Sequence, residues 1–292
     1  MLSSSRPATA STPSQAAILM RLPFQSSAPQ RAFRRPSPSP IPELNAAQVA
    51  ARYREARLGG DFFEFLPLPS GRLLLLLVDI AGRRETAMDV AAAIQDVLRA
   101  RALELLEGED ANGADKLAAL MLELNRTVLA AAGGICCAPA FLACYGEAAG
   151  TLAYINGGHV PGLVKAGDDI AALPASGLPL GLFSHAVHDT QMSVLQPGAA
   201  LLLVSRGVIE ARGGSPREEF GLERAKQSLA AASGSALEIC SSILDAVARF
   251  AESAPKLHVP GLHFNHREAG ASYDPLASAA NDTTVLALLR SA

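Results

Sequence analysis

The chain has 292 residues, of which 49% are hydrophobic and 18% charged, and a formal net charge of −3. That is enough for a sizeable buried core, in one large domain or two small ones. No basic surplus of the kind that tracks a phosphate backbone is present, so nucleic acid is not expected as a partner. Unbroken apolar runs such as Leu73 to Val78 are strand-sized, well short of the ~20 residues of a membrane helix, and no membrane association is expected.

Residues 1–40 are rich in Ser, Pro, Ala and Gln, with basic spots at Arg31, Arg34 and Arg35. Their apolar residues show no sustained period, which predicts a disordered leader ahead of one domain spanning 41–292. Ala16 to Leu22 is apolar but lacks the order of a secretory signal. Val49 to Arg54 reads as a first strand. A hairpin follows within Gly59 to Gly82: an aromatic strand through Phe62, Phe63 and Phe65, a Pro69-Ser70-Gly71 turn, then the apolar run from Leu73. A strand apolar at every position has no solvent face and is expected to be covered on both sides.

Helical spacing marks about Glu85 to Glu107, with Val90, Ile94, Val97, Leu98 and Leu105 on one stripe and Gly108 beyond its end. Asp89, Asp96, Arg99 and Glu104 fall mostly off that stripe and read as a solvated face. A second helix is expected from about Asp115 to Ala132, antiparallel to the first across the loop Glu109 to Gly113. Strands follow at Ala140 to Tyr145, Thr151 to Ile155, Gly162 to Lys165, His188 to Val194 and Ala200 to Val204. Helices are then expected near Leu222 to Ala232 and Ser235 to Glu252, the latter opened by a Ser235/Glu238 capping box. After Pro255 the chain reads as irregular to Ala280, and a last strand covers Thr284 to Leu289. Strands, a helix pair, more strands, a second helix pair and a final strand make an α+β pattern. Two packed, largely antiparallel sheets flanked by helices would bury it.

Antiparallel pairing across the hairpin brings Asp61, which opens its first strand, and Asp79, which closes its second, to one end of the sheet. Two hard oxygen ligands beside small residues that let the backbone approach suit Mg²⁺ or Mn²⁺. As isolated acids they serve equally well as turn caps. No credible Ser/His/Asp set for nucleophilic catalysis appears. His258, His263 and His266 form a loose cluster that reads as solvated loop histidines, and Asp168-Asp169 and Glu218-Glu219 as solvated loop charges. The four cysteines, Cys136, Cys137, Cys144 and Cys240, form no CxxC pair and lie in apolar segments, which fits a reducing, cytoplasmic setting.

Six segments occur in a family's order: GGDFFEF, LLLLLVDIAG, INGGH at Ile155 to His159, GLPLGLF at Gly177 to Phe183, LLLVSRGVIEA at Leu201 to Ala211, and NDTTVLALL at Asn281 to Leu289. With them the chain resembles the bacterial metal-dependent phosphatases of the PPM type, in the branch named after sporulation protein E. The resemblance implies an α-β-β-α sandwich and removal of phosphate from phosphoserine or phosphothreonine on partner proteins, a class that includes anti-sigma-factor antagonists. It implies a water activated by two metal ions, with no protein nucleophile. Asp79 matches the aspartate that bridges both ions, Asp61 the acidic position after Gly60, and Ile80 the residue whose carbonyl is a ligand. His159 falls in the family's Asn-x-Gly-His turn, which it is expected to shape rather than serve as a titrating group.

Three departures follow from the same alignment of motifs. Where the family reads Thr-Asp-Gly-Val, this chain has Ser205-Arg206-Gly207-Val208; where it starts a motif with a ligand aspartate, this chain has Asn281, followed by Asp282. The usual Gly-Lys-Gly is Gly82-Arg83-Arg84. Arg cannot shed its charge, and at an effective dielectric of ~20 a unit cation at ~4 Å costs another about 4 kcal/mol, more for a divalent ion. The ion that Asp79 would share with positions 206 and 281 is therefore not expected to bind, leaving at most one Mn²⁺ or Mg²⁺ near Asp61, Asp79 and Ile80. Recruiting Asp282 would need a one-residue slip, which turns a strand's side chain to the other face. The sequence thus predicts a phosphatase homologue with hydrolysis impaired or lost; an active phosphatase with a one-metal or rearranged site is the alternative.

Overall fold

The computed structural model describes residues 34–54, 60–106, 113–213, 218–253 and 281–292. The hairpin forms as the sequence predicts, with β2 (Asp61–Leu68) and β3 (Arg72–Asp79) antiparallel and Asp61 directly opposite Asp79. Ser70 and Gly71 turn it at positive φ. Alternate side chains of β3 go to opposite layers. Leu74, Leu76 and Val78 pack under α1 (Arg84–Leu106) and α2 (Gly113–Ala132), whereas Leu73, Leu75 and Leu77 enter the space between two sheets. Every residue of β3 after Arg72 is buried.

One sheet runs β2-β3-β4-β5-β8, with β4 at Ala140–Gly146, β5 at Thr151–Gly157 and β8 at Gln191–Val194. The other runs β1-β10-β9-β6-β7, from β1 (Ala47–Arg54), β6 (Gly162–Ala166), β7 (Asp169–Leu173), β9 (Ala200–Val204) and β10 (Thr283–Arg290). All neighbouring strands within the two sheets pair antiparallel. In the second sheet Leu201, Leu203, Leu286 and Leu288 face the first sheet, while Leu202, Val204, Val285 and Ala287 face α4 (Gly221–Ala231) and α5 (Ala236–Glu252). Three apolar layers stack in sequence, which is the α-β-β-α sandwich. Ser235 and Glu238 form the expected capping box on α5. Among the described residues no helix is long and apolar enough to cross a membrane.

Several local expectations are corrected. Asp169, read as a loop charge, opens edge strand β7 after a turn at Gly167. The eighth strand begins at Gln191, not His188, whose buried ring instead bonds the Leu178 carbonyl through Nε2 at 2.8 Å. A one-turn helix, α3 (Arg206–Ile209), follows β9 where no helix is expected. The irregular stretch 254–280, with its histidines, and the leader residues 1–33 lie outside the described residues.

Residues 34–40, which composition assigns to the leader, are bonded to α1 and β2. Arg34 N–H donates to Asp89 at 2.6 Å and its guanidinium pairs with Asp96. Ser37 exchanges backbone bonds with the Gln95 amide at 2.7 and 2.8 Å. Ser39 Oγ accepts from the Phe65 N–H at 2.8 Å and donates to Glu64 at 3.1 Å. Glu64 is a buried carboxylate, completed by Gln95 and by Arg99 from α1. Asp89, Asp96 and Arg99 are thus partners rather than a bare solvated face. A chain starting at residue 41 is expected to be less stable than one starting at 34 by roughly 2–4 kcal/mol, the sum of a few net hydrogen bonds and a partly uncovered buried carboxylate. Urea denaturation of the two checks this; equal midpoints would show that the segment contributes nothing.

Candidate functional site

The end of the first sheet is built by three segments lying side by side. Asp79 N–H bonds Pro139 O and Ala81 N–H bonds Cys137 O, both at 2.9 Å, so residues 79–81 run antiparallel to 137–139. On the other side Ile80 N–H bonds Gly60 O at 3.0 Å. A Cβ on Gly60 would stand 2.1 Å from the Ile80 carbonyl oxygen and 2.9 Å from Ala87 Cβ, so only glycine permits this approach. Asp61, Asp79 and the Ile80 carbonyl are therefore brought together. Asp61 accepts from Thr284 Oγ1 at 2.7 Å. Burial pushes its pKa up to about 7; hydrogen bonds from Ser205 and Thr284 oppose the rise, and the nearby charges of Asp79 and Asp282 add to it.

Arg206 lies on Asp79. Its Nη2 donates to Oδ1 at 3.3 Å and its Nε is 3.2 Å from Oδ2, while the Asp79 side chain is only 10% exposed. Burial alone would lower the pKa of Arg206, but Asp79 and Glu210 outweigh it and raise it. Arg206 is placed by the abrupt end of β9: Ser205 N–H bonds Thr284 O at 2.9 Å and Thr284 N–H bonds Ser205 Oγ at 3.0 Å, after which the chain turns into α3. Gly207 allows that turn to sit against β10, since a Cβ there would be 2.0 Å from the Asp282 carbonyl oxygen. Glu210, one turn on, stands 3.8 Å from Arg206 Nε and accepts from Asn281 Nδ2 at 3.0 Å. One carboxylate thus engages both positions where the resemblance implies lost aspartates. Asp282 is buried and accepts from the Tyr53 hydroxyl of β1 at 2.8 Å.

His159 ends the turn after β5. Asn156 Oδ1 accepts the His159 N–H at 2.8 Å, and Asn156 Nδ2 donates to Leu173 O at 3.1 Å. The imidazole is buried, and its Nδ1 donates to Val160 O at 3.0 Å, which fixes the neutral tautomer; among the described residues Nε2 has no partner. Burial depresses its pKa to about 4.

Sequence reading singles out Asp61, Asp79, Ile80, Gly60, Arg206, Asn281, Asp282 and His159. It misses Glu210, Thr284 as a donor to Asp61, and Tyr53. The Arg206/Glu210 spacing of four residues is a helical pairing that would have been visible had α3 been expected. Tyr53 carries no local signal, because its role arises from the pairing of β1 with β10.

These residues do not fit a pair of divalent ions. Among the described residues no group of three or more His, Cys, Asp or Glu side chains is arranged to hold a metal. Asp79 is already engaged by the Arg206 guanidinium, and positions 206 and 281 offer no carboxylate.

Helix pairs outside two antiparallel sheets, with paired aspartates where the strands of one sheet end, define a protein of the PP2C phosphatase fold. Solved structures agree. The RsbU and RsbW domains of Rv1364c from Mycobacterium tuberculosis superpose with a TM-score of 0.61 at 23% identity, over 87% of this chain and 63% of that one. The phosphatase domain and regulatory fragment of SpoIIE from Bacillus subtilis give 0.60 at 16%, over 85% and 64%. RsbX in complex with magnesium gives 0.56 at 14%, over 86% and 99%. The chain thus spans less than two thirds of the first two. The model of the family described as Stage II sporulation protein E (SpoIIE) matches residues 69–256, and the chain belongs to that family.

Two outcomes test the local physics. Gly60→Ala is expected to cost roughly 2–4 kcal/mol through the clash with Ile80 O, read by thermal or urea unfolding. For His159, both states are neutral above pH 6.5, so it adds no pH dependence there. As pH falls from 6.5 to 4 the unfolded chain takes a proton that the folded one refuses, and stability drops by up to about 3 kcal/mol. Unfolding of wild type and His159→Gln at pH 7.5 and 4.5 should show a wild-type loss on acidification larger by about that amount; parallel losses would refute the assignment.

Proposed function

We propose that this chain is a SpoIIE-family phosphatase homologue that recognises phosphoserine or phosphothreonine on a partner protein and hydrolyses it weakly or not at all. The observation that carries this reading is the Arg206 guanidinium lying across both oxygens of Asp79. In the family that aspartate bridges the ions that activate water, and a fixed unit cation there opposes a divalent ion electrostatically. Asn281 is neutral, and its amide is turned to Glu210.

Arg206 supplies what the ions would otherwise provide for binding. Its side chain is 43% exposed, and its planar fork matches two phosphate oxygens as well as it matches a carboxylate. An incoming phosphoryl group competes with Asp79 for it. The substrate class and a partner such as an anti-sigma-factor antagonist come from the family resemblance.

Calorimetric titration with Mn²⁺, together with hydrolysis of p-nitrophenyl phosphate and a phosphoserine peptide, decides the matter. The wild-type protein is expected to show no tight Mn²⁺ binding and little turnover, and Arg206→Asp with Asn281→Asp should raise both by at least about tenfold. Tight binding and metal-dependent turnover in the wild type would overturn the reading in favour of a site rebuilt around Arg206.

A further inference from the structure

We infer that the face beside this site is a docking surface for a phosphorylated protein segment carrying a large apolar residue about four positions from the phosphoresidue. The inference rests on the phosphate-recognition reading above and names what the partner must present around its phosphate.

Two bonded segments build the face. Residues 135–139 lie against 79–81 through the Cys137 and Pro139 carbonyls. On their far side Ala138 and Leu180 exchange both backbone bonds at 3.0 Å, and Cys136 N–H bonds Gly181 O at 3.0 Å. Asn125 of α2 holds the second segment, its amide donating to Phe183 O at 2.8 Å and accepting from Gly181 N–H at 2.8 Å. Ile135, one residue before Cys136, and Phe183, two after Gly181, emerge from this pair into solvent at 81% and 52% exposure. Leu178 at 50% and Val187 at 81% are exposed on the same stretch of chain as Phe183, whose ends are tied where the Leu178 carbonyl bonds the His188 ring. Gly133 and Gly134, both at positive φ, turn the chain out of α2 so that Ile135 is presented rather than folded inward.

Scattered exposed apolar residues are ordinary; large ones on a single bonded framework, continuous with a charged site, are not. Beyond Ala81 the chain leaves this pairing: Gly82 stands at φ 130° and α1 begins at Arg84, with Arg83 an exposed cation just ahead of it. Ile135 therefore lies on the segment that runs away from Pro139, the partner of Asp79, and Arg83 is an exposed cation four residues after Asp79 in the chain. Four residues of extended chain separate Asp79's partner Pro139 from Ile135, about 13 Å at the usual rise per residue. A partner segment in extended form with its phosphate at Arg206 covers that distance in about four residues. Its apolar side chain then meets Ile135 and Phe183.

Fluorescence anisotropy with labelled peptides tests this on the full chain. One peptide carries phosphoserine with Leu four positions to either side, the second has Ser at those places, and the third is the first without phosphate. The Leu phosphopeptide is expected to bind about tenfold more tightly than the Ser one, and Ile135→Ser with Phe183→Ser should abolish that advantage while leaving the unfolding midpoint and the Ser phosphopeptide's affinity in place. Phosphate-dependent binding with no preference for Leu would overturn this inference and leave the phosphate reading standing. Loss of all phosphate dependence would remove both. Sedimentation showing a dimer that the double substitution dissolves, with no effect on peptide affinity, would reassign the face to self-association.

Discussion

The site depends on one strand having no exposed face. Because β3 is apolar on both sides, helices must cover one and a second sheet the other, and its polar chemistry can appear only where the strand ends. Asp79 is that end. The hairpin turn fixes the register that sets Asp61 opposite it; with both faces of β3 apolar, the alternation that resists a slip is carried by β2, where Phe62 and Phe65 go to opposite layers. The position of the acidic pair is thus secured by the turn and by the pairing of β2 with β3, not by any interaction between the acids themselves.

Two carboxylates held together at low exposure repel each other unless something positive stands between them. In this chain the compensation is divided. Asp61 is relieved by the Thr284 hydroxyl, with burial still pushing its pKa up; Asp79 is relieved by Arg206. Arg206 can do so because β9 stops at Val204 and, after Ser205, a single helical turn aims the next side chain back across the sheet ends. A partly exposed pair of this kind is worth little as a source of stability. Its consequence is electrostatic, in deciding what else can occupy the space.

The layered architecture was legible in the sequence because each layer leaves a period. Leu73 to Val78 has none, which is the signature of double coverage, and the two helix pairs carry stripes. Asp61 and Asp79 were legible because hairpin register is local. Glu64, Tyr53 and Glu210 were not. Glu64 reads as an ordinary polar residue of an alternating strand, and only the crossing of α1 and residues 37–39 above it reveals a buried network. Tyr53 meets Asp282 across 229 positions of sequence, a contact that no local pattern encodes. Edge strand β7, DIAAL, lacks both β-branched density and a clean alternation, so its existence follows from pairing with β6.

Arg206 and Asn281, the positions where the resemblance implies aspartates, are energetically linked. Arg206 and Asn281 come from different elements, α3 and the residue pair ahead of β10, yet both face Glu210. An aspartate at either position alone would place a new carboxylate against Glu210, with the other neutral or cationic residue still in place. Like charges at that separation in a half-buried setting disfavour each other, so the energetic effect of each replacement depends on the other. Arginine at 206 satisfies Asp79 and Glu210 together, and the asparagine amide completes Glu210 from the opposite side. Arg206 Nε stands 3.2 Å from Asp79 and 3.8 Å from Glu210 without a hydrogen bond to either, so its contribution there is electrostatic. Each carboxylate thus has its donor, Asp79 in the Arg206 guanidinium and Glu210 in the Asn281 amide.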